Sequence, residues 1–461
     1  MMKNHFILPQ HPFYNLADYH RAKGHALESS WKLSSQDILV ELIASHLRGC
    51  GGSGTFTGGK WFTVFQHASP KKYVVVNAAD GEPGSFKDRM IIRKNPYAML
   101  EGALIAAHVL KTTDIYIGIK KSFITEIERL QSAIQEFRQA KLLGKIKIHL
   151  VAGPEDYLFG EETALLNVIE GSGAYPREAH NPPYELGLFA TSTSPNPALV
   201  NNVETYARVP EIILRGAESF RNIGTEFTPG TLICTISGDV KRPGVYEVPA
   251  GTTLKDVLEI YAGGPSGDAP FKVVLPGVSN RVILREHLNV PLTFEDTEAI
   301  GSGLGTRSFI VFDQTRNAVR ITEEVSQFLF KESCNQCTAC KSGLGVCSIS
   351  IDGLFTDNED HTLITRALMA VKSAPQGNRC NLPVQGSVLI PSLVDAFKQE
   401  FIDLLEGKIK NPAPIILPLI ADFIEYENKF ILKDEVSDSY INQHGADKWP
   451  KGTYLMDRGT I

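Results

Sequence analysis

Apolar residues recur at helical spacing through 35–47 (SQDILVELIASHL), with Ser35 placed to cap the helix. The pattern stops in a glycine-rich stretch at 48–54, and short apolar runs follow at 73–76, 115–119 and 146–151. Between them lie two helical patterns, 97–110 and 124–139. Strands that alternate with helices of this length predict a parallel sheet covered on both faces, a doubly wound α/β domain. A further helix is expected from near Glu161 to Gly171.

The pattern changes past Gly224. Short β-type runs at 232–236, 245–248, 273–275 and 309–312 are separated by Gly and Pro and interrupted by one helix at 254–261. This predicts a small α+β module. From Thr322 to Glu406 the spacing is helical, apart from a cysteine-bearing loop and the segment 375–383, and predicts a helical bundle. The tail from Asn411 is Pro-interrupted and weakly periodic, the pattern of a docking extension. The predicted division is 1–34 as an N-terminal extension, 35–224 as the α/β domain, 225–315 as the α+β module, 316–410 as the bundle and 411–461 as the docking extension.

Length agrees with several domains, since one core stops growing at roughly 250–300 residues and the chain has 461. A formal net charge of −6, with no basic tract, argues against a nucleic-acid partner. The N-terminus (MMKNHFILP) shows neither an apolar h-region nor a small-residue cleavage site, so no secretory signal is expected. The most apolar late stretch, 414–423, is Pro-broken and shorter than the about 20 residues a membrane span needs, so no direct span is expected.

Three of the seven cysteines fall within 334–340. Cys334, Cys337 and Cys340 form C-x2-C-x2-C, and three thiolates on one loop can wrap the corners of an iron–sulfur cubane. Structural zinc sites instead pair two separated C-x2–4-C or H-x3–5-H motifs, which makes zinc the weaker reading. The fourth ligand lies elsewhere. Cys347 sits in an apolar run and Cys380 in a polar loop (QGNRCNLP), where a ligand can turn inward; local sequence favours Cys380 and leaves both open. Cys234 and Cys347 otherwise read as small buried apolar residues.

The loop at 49–54 satisfies G-x-G-x-x-G, but a helix precedes it where a dinucleotide fingerprint needs a strand. It offers bare amides to a phosphate or a flat ring, with Lys60 six residues on, or else it is a plain tight turn. Asn77, Asp80 and Glu82 follow the first strand, where ligands bind in open parallel sheets. Glu161 and Glu162 open a helix, a position that the helix dipole alone explains. Asn201 and Asn202 precede another helix, as ligand donors or as caps.

Five ordered stretches together resemble the NADH-binding flavoprotein subunit of respiratory complex I and the diaphorase-type subunits of NAD-linked hydrogenases and formate dehydrogenases. They are RGCGGSGTFTGGKW (48–61), NAADGEPGSFKDR (77–89), GEETALL (160–166), NNVET (201–205) and ESCNQCTAC (332–340). The resemblance spans about 35–407 and implies a Rossmann-like FMN domain, a β-grasp (SLBB-like) module and a bundle with one [4Fe–4S] cluster. It carries cofactor contacts to Gly49, Gly51, Gly52, Lys60, Asn77, Asp80, Tyr157, Gly160, Glu161, Asn201, Asn202 and Thr205. It carries nicotinamide-nucleotide contacts to Glu82 and Glu162, and it implies Cys380 as the fourth cluster ligand.

The implied chemistry joins a two-electron donor, NAD(H), to one-electron clusters through a flavin that handles both. No quinone-site or hydrogenase signature appears in the chain, so electrons leave to other subunits. The resemblance implies a small thioredoxin-like [2Fe–2S] ferredoxin-type partner and larger iron–sulfur or catalytic subunits. The expected place is the cytoplasm, or the cytoplasmic side of a membrane complex. Departures from the family pattern fall around the nucleotide: Cys50 for Arg, Ser53 for Ala, Thr55-Phe56 for Phe-Pro, Ala79 and Asp80 where the family has an Asp-Glu pair, which loses one acid and shortens the other, and an Asn181-to-Tyr184 run (NPPY) for KPPF. They leave a second reading, a flavin and iron–sulfur relay and assembly subunit that does not use NADH. A flavin-free scaffold would leave the loops at 49–54 and 201–202 idle.

Overall fold

The computed structural model describes residues 6–178, 182–191, 193–356 and 360–436. Its first sheet consists of β1 (Tyr73–Ala78), β2 (Asp114–Lys120), β3 (Lys147–Gly153) and β4 (Ala198–Asn202), all parallel, in the order β3-β2-β1-β4. The first three strands coincide with the apolar runs. β4 carries no such signal, because it is short and ends in two amides. The capping residue of the first predicted helix is Ser34, not Ser35: Ser34 and Asp37 form a reciprocal capping box ahead of Ser35–Ala44.

Helices Pro96–Leu110 and Val203–Arg215 cross on one face of this sheet, backbone against backbone. A Cβ on Gly102 would stand 2.0 Å from the carbonyl oxygen of Tyr206. Gly102→Ala is therefore expected to force the helices apart and destabilise the protein by about 1–3 kcal/mol, an overpacking effect visible as a lowered urea midpoint.

The second sheet contains β5 (Thr231–Gly238), β6 (Gly244–Pro249), β7 (Phe271–Pro276), β8 (Ile283–Leu284) and β9 (Ser308–Asp313), in the order β6-β5-β9-β7-β8. Only β5 and β9 run parallel. The expected helix at 254–261 is one short turn, Leu254–Asp256, that widens into a π-turn over Val257–Tyr261. Cys234 lies fully buried in this sheet's core, as its plain reading predicts.

Five helices form the third unit: Ala318–Lys331, Thr338–Gly353, Leu363–Ser373, Leu382–Ala396 and Lys398–Leu405. The tail then makes a hairpin, β10 (Ile420–Ile424) and β11 (Lys429–Leu432), which the weak periodicity concealed. Phe423 and Phe430 pack on Phe86 and Met90 at the start of helix Lys87–Lys94, and Arg93 pairs with Asp422 at 2.7 Å. The tail thus returns to the first unit of its own chain. No helix among the described residues is long and apolar enough to cross a membrane.

Candidate electron-transfer site

Helix Ala318–Lys331 stops just before Glu332, and a short loop leads into helix Thr338–Gly353. Cys334 lies in that loop, whereas Cys337 caps the second helix and Cys340 belongs to its first turn. One loop therefore does not carry all three cysteines; a helix start supplies two of them, and its positive dipole end favours bound thiolate. Cys380 arrives from the loop before Leu382–Ala396. All four cysteines line one small cavity together with Leu158, Pro176 and Arg379. Cys347, two turns further along its helix, is fully buried in the bundle core instead.

The cavity wall explains what these sulfurs can hold. Burial pushes the Cys380 thiol up to about 12 and raises that of Cys340 as well. Thiols in such a box become thiolates only when a cation shares it. Weak donors already point at the sulfurs: Gln336 Nε2 lies 3.7 Å from Cys334 Sγ, and Ser333 Oγ lies 3.4 Å from Cys340 Sγ. Four convergent sulfurs with no histidine fit a cubane cluster.

The second locus is the carboxyl edge of the first sheet. β2 and β3 lie to one side of β1 and β4 to the other, so the strand order reverses between β1 and β4. Open α/β sheets bind ligands in that crevice. Asn77 and Asn202 are register partners across it. Asn77 Nδ2 donates to the Gly160 carbonyl at 2.7 Å, and Glu161 caps helix Glu162–Ile169 by accepting from the amides of Thr163 and Ala164. Burial raises the Glu161 carboxyl although these bonds and the Thr163 hydroxyl oppose it. Asn201, buried, accepts from Trp61 Nε1 at 2.8 Å once its amide is oriented to suit its neighbours.

The glycine loop lies over this crevice. A Cβ on Gly51 would sit 3.5 Å from that of Asn202. The Gly49 amide is used within the loop, on the Thr55 carbonyl at 2.8 Å, and that of Cys50 donates to Thr205 Oγ1 at 2.9 Å. Thr205 thus props the loop from beneath. The amides of Gly51 and Gly52 carry no hydrogen bond among the described residues, which leaves them for an anion. Lys60 pairs with Glu162 at the rim.

The remaining predicted residues are placed less simply. Glu82 is buried and bonded by Thr306, by Ser279 (3.2 Å) and by the Val278 amide (3.0 Å), all from the second sheet's loops. Burial still raises its carboxyl above the ordinary range. Asp80 accepts from Ser85 and from the Arg89 amide. Tyr157 faces the bundle, its amide on Glu332 at 2.9 Å and its hydroxyl paired with Gln385 at 3.0 Å. Phe56 and Tyr184 are 52% and 37% exposed, available for stacking. Ala79 lies in an apolar cluster, and Asn181 lies outside the described residues.

Sequence reasoning missed a buried ion network beneath the glycine loop. Glu204 is bonded by Arg208 at 2.9 Å and Arg307 at 2.6 Å, with Lys87 at 3.6 Å, and all four side chains are essentially inaccessible. Arg307 also donates to the Cys50 carbonyl at 3.2 Å. Arg208 reaches Glu247 at 3.0 Å, and Lys87 reaches Asp88 at 2.6 Å. The available signal was the charged KDR run that opens helix Lys87–Lys94, with the apolar MII directly after it.

The two loci share a wall. The 3-10 turn Tyr157–Gly160 follows β3; Leu158 lines the cysteine cavity and Gly160 holds Asn77 at the crevice. The Glu161 charge is close enough to contribute to raising the Cys380 thiol.

Residues 43–211 match the family model of the Nuo51 FMN-binding domain, 233–277 that of the SLBB domain, and 320–404 that of the NADH-ubiquinone oxidoreductase-F iron–sulfur binding region. The chain is 38% identical over 340 residues to the NADH-quinone oxidoreductase F 2 subunit of Rhizobium meliloti, covering 71% of this chain and 80% of that relative. It is 34% identical over 411 residues to the NADH-quinone oxidoreductase F subunit of Mycobacterium tuberculosis, covering 86% of this chain and 91% of that one. Among solved structures, a chain of the NAD+-reducing [NiFe]-hydrogenase in its H2-reduced state superposes with a TM-score of 0.74 at 27% identity over 82% of this chain. This chain spans 63% of that hydrogenase chain's length.

Proposed function

Because the chain belongs to the family of NADH-quinone oxidoreductase F subunits, we propose that it takes electrons from NADH at the β1–β4 crevice and delivers them to a cluster held by Cys334, Cys337, Cys340 and Cys380. It is an NAD(H)-linked electron-input subunit of the FMN and [4Fe–4S] type. The observation that carries the assignment of residues is the Tyr157–Gly160 turn, one wall of both loci. We take 35–224, 225–315 and 316–410 as its flavin, β-grasp and cluster units, with 1–34 and 411–461 as flanking extensions.

FMN, when bound, accepts a hydride and releases electrons singly. The chain's residues position and shield it. The free Gly51 and Gly52 amides face where a phosphate belongs, with Lys60 at the rim and Asn77, Asn201 and Asn202 at the strand ends. Gly160 and Glu161 close the side toward the cysteines. Glu82 and Glu162 stand where the nicotinamide nucleotide would enter, and the loops that bond Glu82 tie the β-grasp unit to that entrance. Thr205, Asp80 and Tyr157 act by holding these loops and the shared turn in place.

Partner subunits follow from the family. A small thioredoxin-like [2Fe–2S] protein is the proposed neighbour, with larger iron–sulfur or catalytic subunits beyond. Val346, Ile349 and Met369 support a docking face there, being 42%, 68% and 69% exposed on the two helices that follow the cysteine loop. A reducing cytoplasmic setting suits a chain whose described cysteines are all free thiols.

Anaerobic mixing of the purified holoprotein with NADH tests the reading. The expected result is bleaching of the flavin band followed by a reduced-cluster signal. An unbleached flavin at millimolar NADH would sink NADH use and favour the relay reading. Gly51→Val places a branched side chain against Asn202 and over the free amides. It is expected to lower FMN affinity at least about tenfold, read by flavin fluorescence after dialysis.

A further inference from the structure

A second group of metal-ligand side chains lies apart from both loci, in the N-terminal segment. His20 stands in the last turn of helix Leu16–Lys23; His25 caps helix Ala26–Ser30, and Glu28 lies in that helix's first turn. The helices are joined at Gly24, whose φ of 96° suits glycine. Across this junction the two imidazole rings lie 4.1 Å apart between centroids. His25 Nδ1 lies 3.0 Å from Glu28 Oε1, and ligand atoms of all three residues fall within 4.8 Å of one another.

Two atoms of this group are orphans. His20 Nε2 and Glu28 Oε2 are buried, and neither has a hydrogen-bond partner among the described residues. Buried polar atoms are normally paired, so a basic nitrogen and a carboxylate oxygen left bare in one cluster call for a shared partner. A cation satisfies both at once. We propose that His20, His25 and Glu28 bind a zinc-type divalent cation, with the fourth position open to water.

The donor set selects the class. Two imidazoles and one carboxylate suit zinc and its neighbours in the first transition row, whereas calcium and magnesium take oxygen donors. Tetrahedral zinc, with bonds of about 2.0–2.2 Å, holds its ligand atoms roughly 3.4 Å apart. The present spacing, within 4.8 Å, would have to close by about 1 Å to reach that value. The bound ion would join the end of one helix to the start of the next. The same two helices reach the first core through Tyr19 Oη and the Leu27 amide, both on the Glu101 carboxylate. The ion is therefore a clamp on the N-terminal segment and takes no part in the electron path.

The test uses full-length protein with its cluster loaded, so that the cluster cysteines do not compete for zinc. Titration with Zn2+ against a chromophoric chelator is expected to show one site filled at micromolar free metal or below. Co2+ in its place should give visible d–d bands without a thiolate charge-transfer band. His25→Ala changes an exposed side chain, and Glu28→Gln keeps its shape; each is expected to weaken zinc at least about a hundredfold while FMN content stays at the wild-type level. Equal affinity in wild type and both variants overturns the proposal. So does a wild-type protein that takes up no zinc at micromolar concentration, the result for a group bridged by water alone.

Discussion

Cys380→Ala is expected to strip the [4Fe–4S] cluster, with iron and acid-labile sulfide falling to background and the reduced-cluster signal absent. Cys347→Ala is expected to leave all three unchanged. The contrast follows from placement: Cys380 shares a cavity with Cys334, Cys337 and Cys340, whereas Cys347 points into the bundle core. Three thiolates leave one iron corner without a ligand, and the wall formed there by Leu158, Pro176 and Pro383 is apolar. Flavin bleaching by NADH should survive in Cys380→Ala, because the crevice residues are untouched. Retention of a full cluster in Cys380→Ala, or its loss in Cys347→Ala, would overturn the assignment.

Glu204→Gln is expected to destabilise the protein by about 3–5 kcal/mol, the range for removing one member of a buried ion group. Burial alone would raise the Glu204 carboxyl, but Arg307, Lys87 and Arg208 together hold it below its ordinary range. Neutralising it leaves those three buried cations with only Asp88 and Glu247 as direct acidic partners among the described residues. Urea denaturation reads the loss, and an unchanged midpoint would refute it. The same substitution should lower FMN affinity. Arg307 bridges Glu204 to the Cys50 carbonyl, so the glycine loop loses its support from the second unit.

Much of the architecture was legible because local physics repeats along the chain. β1 and most of β2 are apolar runs buried on both faces, the edge strand β3 is a half-buried run with apolar residues at Ile148, Leu150 and Val151, and helix Ile124–Gln139 shows an apolar stripe at helical spacing. β4 and the β10–β11 hairpin were not legible. β4 is defined by its pairing with β1 rather than by its own pattern, and the hairpin by Phe86 and Met90, which are distant in sequence. The Ser34 cap shows the ordinary one-residue uncertainty of a helix start.

The sites divide the same way. C-x2-C-x2-C predicts three cluster ligands from spacing alone, because neighbouring positions on one short segment reach one ion whatever the rest of the chain does. The fourth ligand is a matter of distance through space; only the packing of the bundle separates Cys380 at the cavity from Cys347 in the core. Glycine, amide and acidic motifs marked the crevice, but not which atoms stay free. Tertiary contacts decide that Gly51 and Gly52 keep open amides, that Thr205 and Asp80 serve as props, and that Glu82 is held by a different unit. Sequence determined which chemistry this protein carries, since that depends on residue types at short spacing. Tertiary structure alone decided that the β1–β4 crevice and the cysteine cavity share the Tyr157–Gly160 turn, because that junction forms only when residues of the first sheet's unit and of the helical bundle, distant in sequence, pack against one another.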